Sequence, residues 1–170
     1  LIALSLALTP WASAQEESAK VFQAGATTSN ITPWFGTSLA GSMTDKTATT
    51  ITDELYVRSI VMDDGVNLLT ISLVDCCMIE RPIIDAAKDR ASKATGIPTT
   101  NMLVAATHSH TAGTCAHVFQ SDPDPEYTTF VSRRIADSIT LAWQKRVPAK
   151  IGWGSGSVPD EVFNRRWHMK

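Results

Sequence analysis

The spacing of apolar residues between positions 55 and 155 predicts a mixed sheet that is covered by helices. Apolar side chains alternate over some stretches, as in half-buried strands, and recur about every 3.6 residues over others, as in amphipathic helices. The predicted elements are, in chain order, strands at 55–62 and 66–74, a helix at 79–95, a strand at 101–107, a helix at 123–146 and a strand at 149–155. Strands that alternate with helices in this way indicate the α/β class.

Local signals support these boundaries. Asp63-Asp64-Gly65 is typical of a tight turn, so the first two strands form a β-hairpin. Gly96 is placed to end the first helix as its C-cap. Upstream, residues 21–33 form an extended segment closed by Thr32-Pro33, and residues 34–52, rich in Gly, Ser and Thr, predict a surface loop.

The composition is that of one globular domain. The chain has 170 residues, of which 44% are hydrophobic and 19% charged, enough to bury a proper core. Its net charge of −2 gives no electrostatic basis for binding nucleic acid, and no basic run indicates a patch for a membrane surface. The composition therefore favours neither of these two classes of partner.

The first fifteen residues resemble part of a secretory signal. Their apolar run is shorter than the roughly 20 residues that span a bilayer, and Ala12-Ser13-Ala14 fits the small-x-small cleavage rule. An N-terminal helix of the domain fits less well because the run has no polar face. We expect residues 1–14 to be a partial signal peptide, the mature chain to begin near Gln15, and the protein to be secreted or periplasmic.

The chain has three cysteines, and an odd number in an exported protein leaves at least one thiol without a partner inside the chain. Cys76 and Cys77 are adjacent, so bridging them to each other would need strained geometry. Their position at the end of an apolar strand predicts small buried packing residues. A bridge from Cys115 to either of them stays open.

Two histidines follow the strand at 101–107. In an extended backbone, side chains two residues apart point to the same side, so His108 and His110 can address one point in space. That point lies at the carboxyl end of a strand, where open α/β sheets bind ligands. Imidazole is a common zinc ligand, and the spacing therefore predicts a metal-dependent hydrolytic site. A pair of surface histidines bonded to backbone is the alternative.

Several other residues are weaker candidates. Asp75 is placed either to orient a metal-bound histidine or to cap the following turn. His117 is expected to be a plain surface histidine, and His168 is assigned no role. An apolar groove for a lipid tail, ordinary core packing or chance exposure would each explain the aromatic residues Trp34, Phe35 and Phe119.

Short segments along most of the mature chain resemble, in the same order, the neutral/alkaline ceramidase family. The clearest is Thr-His-Ser-His-Thr-Ala-Gly at 107–113, which is similar to that family's Thr-His-Thr-His-Ser-Gly-Pro signature. Val-Phe-Asn-Arg-Arg at 162–166 is similar to its Asn-Arg segment. The remaining matching segments lie at 24–33, 39–41, 53–59, 64–65 and 71–75.

The resemblance implies a zinc amidase that releases a fatty acid from a sphingolipid-like substrate. It implies that His108 is a zinc ligand, that His110 contacts the scissile group or its oxyanion, and that Arg165 stabilises negative charge on the substrate. The family's other ligands, a histidine, a glutamate and a tyrosine, come from later in its sequence. Residues 15–170 are thus expected to be the N-terminal part of a larger catalytic domain that contacts membrane lipid peripherally.

The sequence departs from the family's pattern at three places: Ser109, residues 111–113, and Arg166-Trp167 where the family has Ser-Pro. Two other classes of function stay open beside the amidase. One is a different metal-dependent hydrolase with a His-x-His site, and the other is an exported domain that keeps the scaffold without catalysis. Retention of His108, His110 and Arg165 together favours the enzyme.

Overall fold

The computed structural model describes residues 20–161, 166 and 169. Its main sheet has five strands in the order β6-β5-β4-β1-β8, in which β5 and β6 are parallel and the other neighbours are antiparallel. A second, three-stranded sheet has the order β3-β2-β7. The strands are β1 Gln23–Asn30, β2 Ser38–Ala40, β3 Lys46–Thr47, β4 Tyr56–Asp63, β5 Leu68–Val74, β6 Met102–Ala106, β7 Ala112–Gly113 and β8 Val147–Pro148.

Two long helices complete the fold, which confirms the predicted α/β class with a mixed sheet. Helix α1, Arg81–Thr95, connects the parallel strands β5 and β6 and ends at Gly96, whose left-handed φ of 76° confirms it as the C-cap. Helix α2, Pro125–Gln144, is capped by Asp124, whose carboxylate accepts hydrogen bonds from the N–H groups of Glu126 and Tyr127. Neither helix in the described part of the chain has the length and apolar character needed to cross a membrane.

The helices cover one face of the main sheet. The inward side chains of β4, β5 and β6 join those of α1 and α2 in one buried cluster, while the alternate side chains of the same strands point outward. Helix α2 packs against β1, β4 and α1. The exposed apolar residues on the outer face are Ile60, Leu69, Ile71, Leu73 and Leu103.

Two stretches outside these elements differ from the prediction. The stretch 34–52 is not entirely loop, because β2 and β3 pair with each other and β2 also pairs with β7. Pairing with a distant strand overrides the weak strand propensity of Gly- and Ser-rich sequence. The predicted strand at 149–155 is wrong: β8 ends at Pro148, because its partner β1 begins at Gln23 and offers no further strand to pair with.

Tyr127 fixes α2 to the end of β1. Its side chain is fully buried, and its hydroxyl donates a 2.8 Å hydrogen bond to the carbonyl of Ile31. We expect Tyr127→Phe to lower the free energy of unfolding by about 1–3 kcal/mol, because the buried carbonyl loses its donor. Urea unfolding measures this. Tyr56→Phe, which removes a hydroxyl bonded to Glu54 at the surface, is the matched control and should change stability much less.

Candidate metal centre

His108 and His110 lie in the loop that follows β6, next to the end of β5. The Thr107 N–H continues the strand ladder to the Val74 carbonyl, and the chain then turns at His108, whose φ is 66°. The extended backbone predicted for this pair is therefore wrong at His108. The turn nevertheless brings the rings together, with centroids 4.7 Å apart and Nε2 atoms 3.1 Å apart.

The tautomer of His108 follows from its backbone partner. Its Nδ1 lies 2.9 Å from the carbonyl oxygen of Cys77, and because a carbonyl can only accept, Nδ1 carries the hydrogen. In the neutral ring this leaves the lone pair on Nε2, which faces His110. A backbone carbonyl that fixes one ring nitrogen while the other is free is the arrangement that orients metal-binding histidines in proteins.

The separation of the two Nε2 atoms fits a shared metal ion. Nitrogens bound at about 2.0–2.1 Å to one tetrahedral zinc ion lie about 3.3–3.4 Å from each other. The observed 3.1 Å is close to this value. The same distance also fits a hydrogen bond from Nε2–H of His110 to His108, so the pair is satisfied without an ion. Because both rings are exposed, a solute can reach them.

Cys77 is a third donor at this site, and its role was not predicted from the sequence. Its Sγ lies 3.8 Å from Nδ1 of His108, and one ligand atom from each of Cys77, His108 and His110 falls within a 4.8 Å group. Burial and the neighbouring Cys76 raise the pKa of the Cys77 thiol, so a metal would have to displace its proton. The sequence does contain a signal for Cys77. This residue follows β5, and because β5 and β6 are parallel neighbours, both strands end at the same edge of the sheet.

Cys76 confirms the packing role predicted for it, because it is fully buried. Cys115 is buried too, and all three cysteines are free thiols, so the bridge from Cys115 that the sequence left open is not formed in this structure. The hydrogen bond that the Cys115 thiol donates to Cys76, together with burial, raises the pKa of Cys115 and keeps that thiol protonated. This pair therefore packs beneath the site as small apolar residues.

Gly41 holds the histidine loop in place from the second sheet. Strand β2 pairs with β7 immediately after the loop, with Leu39 opposite Gly113 and Ala40 opposite Ala112. Gly41 follows β2 with a φ of 120°, and a Cβ built on it would lie 2.5 Å from the Cα of His110. Only glycine allows the two backbones to approach this closely.

The remaining candidates lie elsewhere or serve other purposes. Asp75 neither orients a histidine nor caps the next turn: its carboxylate accepts hydrogen bonds from the Tyr56 N–H and from Arg58, which ties β5 to β4. The Nδ1–H of His117 donates a 2.8 Å hydrogen bond to the Asp122 carboxylate at the surface, as expected for a surface histidine. The predicted signal peptide, Arg165 and His168 lie outside the described residues.

The three aromatic residues do not form one groove. Trp34 packs edge-on against Tyr127, with ring centroids 5.6 Å apart, and is thus partly used in packing. Phe35 and Phe119 are 64% and 70% exposed. None of the three lines the groove of about 330 Å³ that reaches Thr111 beside His110.

The fold and the site together define a class of protein. It is a mixed α/β scaffold that carries a histidine pair at the edge of its parallel strands. Among solved structures, the chain is similar to neutral ceramidase from Pseudomonas aeruginosa, at 19% identity and a TM-score of 0.67. It is also similar to a structure described as ceramidase complexed with C2, at 21% identity and a TM-score of 0.60. Each likeness covers 75% of this chain and 22% of the other.

These likenesses establish the fold. The chain spans less than a quarter of the length of either ceramidase. No protein-family model matches the sequence, and a search of curated proteins gave no match. The scaffold is thus shared with ceramidases, and any inference about the reaction depends on the residues of the site.

Proposed function

We propose that this chain supplies part of the active site of a zinc-dependent amide hydrolase of the ceramidase type. The substrate would be a sphingolipid-like amide, and the product a fatty acid. The observation that carries the proposal is the 3.1 Å approach of two imidazole Nε2 atoms on a scaffold of ceramidase fold. Polar groups that converge at the edge of parallel strands are the usual form of an α/β active site.

His108 is the metal ligand in this proposal. Its Nδ1–H is held by the Cys77 carbonyl, so its Nε2 lone pair is available without prior loss of a proton. Zinc bound there would polarise the substrate carbonyl and lower the pKa of a bound water to about 7. The Cys77 Sγ belongs to the same 4.8 Å group of donor atoms, and its raised pKa makes it the weaker partner.

His110 acts on the substrate. Its Nε2–H lies against the Nε2 lone pair of His108, so a metal that takes this lone pair would turn the His110 ring aside and leave its N–H free for the substrate. The imidazole can then donate to the oxyanion that forms when the amide carbonyl is attacked, or carry a proton to the leaving amine. Arg165 is proposed to hold negative charge through its guanidinium, which stays protonated and cannot act as a base.

The rest of the site is proposed to come from other parts of a larger domain. Zinc sites take four ligands, and in this proposal the described residues supply the imidazole of His108, with Cys77 as a weaker sulfur donor and no carboxylate in the group. We propose that residues 15–170 form the N-terminal part of that domain, that residues 1–14 belong to a signal peptide, and that the protein is exported.

The test uses the whole protein as it is naturally made. We expect purified enzyme to contain zinc, to hydrolyse an N-acyl sphingoid amide, and to lose both metal and activity on dialysis against a chelator. Zinc alone should restore activity. Undiminished hydrolysis by metal-free protein would contradict the zinc role, and a metal-loaded protein inert towards amides would favour the non-catalytic alternative.

A further inference from the structure

Two of the three free thiols lie against each other in the core, beneath the histidine loop. The Cys115 thiol donates a hydrogen bond to the sulfur of Cys76. Cys76 is 0% and Cys115 is 1% exposed, and both belong to the same buried apolar cluster. Two thiols in contact need only the loss of two hydrogens to become a disulfide bond. This pair therefore offers a covalent chemistry that the proposed hydrolysis does not use.

Backbone pairing holds the two chain segments side by side. Cys76 follows the end of β5, and Cys115 follows β7. The chain that runs on from Cys76 forms a parallel bridge between Ile79 and Cys115, and the Glu80 N–H donates a 3.1 Å hydrogen bond to the Cys115 carbonyl. A disulfide bond forms without strain only where the backbone brings its two residues close together. The pairing of these segments supports that approach independently of the thiols.

Cys77 lies on the other side of its segment. Its Sγ is 3.8 Å from Nδ1 of His108, so it faces the metal centre and not the core pair. A bond between the adjacent residues Cys76 and Cys77 would need strained geometry. The fold thus pairs Cys76 with Cys115 and leaves Cys77 as a thiol at the site.

We propose that Cys76 and Cys115 form a disulfide bond in the exported protein, and that this bond steadies the segment that orients His108. The inference rests on the proposed export, because disulfide bonds persist in oxidising compartments, and on the proposed metal centre. Both thiols are buried in the folded core, so the bond forms while the chain folds, when reagents still reach them.

The oxidant is a second disulfide, carried by a protein or a small thiol of that compartment. The thiolate of one cysteine attacks a sulfur of this disulfide, forms a mixed disulfide and releases one thiol of the oxidant. The thiolate of the other cysteine then attacks the mixed disulfide, which forms the bond between Cys76 and Cys115 and releases the second thiol. The two cysteines are oxidised, and the two hydrogens that they lose leave on the two thiols of the reduced oxidant.

The bond would close a loop that contains both histidines. It would join Cys76 to Cys115 on either side of α1, β6, His108 and His110. One peptide bond links Cys76 to Cys77, whose carbonyl accepts the hydrogen of the His108 Nδ1. Fixing Cys76 to the core therefore restricts the carbonyl that sets the tautomer of the proposed metal ligand.

The first experiment counts thiols in the whole protein. The protein is equilibrated with reduced and oxidised glutathione in moderate urea, which opens the core, and its cysteines are then alkylated in denaturant and counted by mass spectrometry. We expect one alkylated cysteine, Cys77, in place of three. The matched variants are Cys77→Ser, which should keep the bond and have no free thiol, and Cys76→Ser, which should have two. Three free thiols, or a bond that uses Cys77, would overturn the proposal.

This result does not depend on where a cell sends the protein, because the glutathione mixture supplies the oxidant. A bond between Cys76 and Cys115 in a protein that proves not to be exported would support the pairing and reject the proposed export.

The second experiment measures the effect of the bond on zinc binding. Cys115→Ser should weaken zinc binding about 10-fold, which is at the low end of the loss expected when a residue that orients a metal ligand is removed. Reducing the unmodified protein with a phosphine should cause the same loss, whereas this treatment should leave Cys115→Ser unchanged. Equal zinc affinity in the oxidised and reduced protein would overturn the role of the bond at His108. The bond in a protein that binds no zinc would support the pairing and reject the metal centre.

Discussion

Replacing His108 with alanine is expected to abolish metal binding and amide hydrolysis together. The substitution removes the ring of His108. The hydrogen bond from its Nδ1 to the Cys77 carbonyl leaves the lone pair on Nε2, where a metal can bind. Loss of residues that only orient a ligand typically weakens metal affinity about 10–100-fold, so loss of the ligand itself should exceed this. Metal content by plasma emission spectroscopy and the rate of hydrolysis of an N-acyl sphingoid amide are the two measurements.

His110→Ala tests whether metal binding and catalysis depend on different histidines. It should keep the metal and lower kcat by about 10²–10⁴-fold, because His110 serves the transition state and not the ion. His117→Ala is the control, since His117 is also an exposed histidine but pairs with Asp122 at the surface. Unchanged zinc in the His108 variant would disprove the ligand assignment, and loss of zinc in the His110 variant would make His110 a ligand as well.

The parts of the fold that were predictable are those with local periodicity. The apolar positions that recur along α2 are buried at Tyr127, Val131, Ile135 and Ile139, and the Asp-Gly turn joins two antiparallel strands as the predicted hairpin. The short strands β2, β7 and β8 were not predictable, because two or three residues carry no period. They exist through partners that lie far away in sequence.

The candidate site also has one part that the sequence predicts and one part that it does not. His108 and His110 stand out by their spacing, but their convergence depends on a left-handed turn at His108 that no local rule specifies. Cys77 could have been found only by combining two strands, since it enters the site because β5 and β6 are parallel and end together. The groove beside Thr111 is built from segments spread over residues 32–55, so no single motif marks it.

Gly41→Ala tests whether the position of His110 matters as much as its identity. The new Cβ would lie 2.5 Å from the Cα, Cβ and carbonyl oxygen of His110, whereas carbon atoms in contact are about 3.5–4.0 Å apart. The backbones must therefore separate by about 1 Å, a displacement that can reduce the rate about 10²-fold in an active site. Zinc content should hold, because the hydrogen bond from His108 to Cys77 is not touched.

Gly36→Ala is the control that shows how much of any loss comes only from placing a side chain at a positive φ. Gly36 also has a positive φ, 89°, but a Cβ there meets nothing within 4 Å. Both variants bear the cost of a side chain in a region that favours glycine, about 1–3 kcal/mol, so both should lose stability in urea. Only Gly41→Ala should lose kcat as well. Equal activity in the two variants would mean that β2 does not position His110, and that the histidine loop holds its shape through the His108 turn by itself.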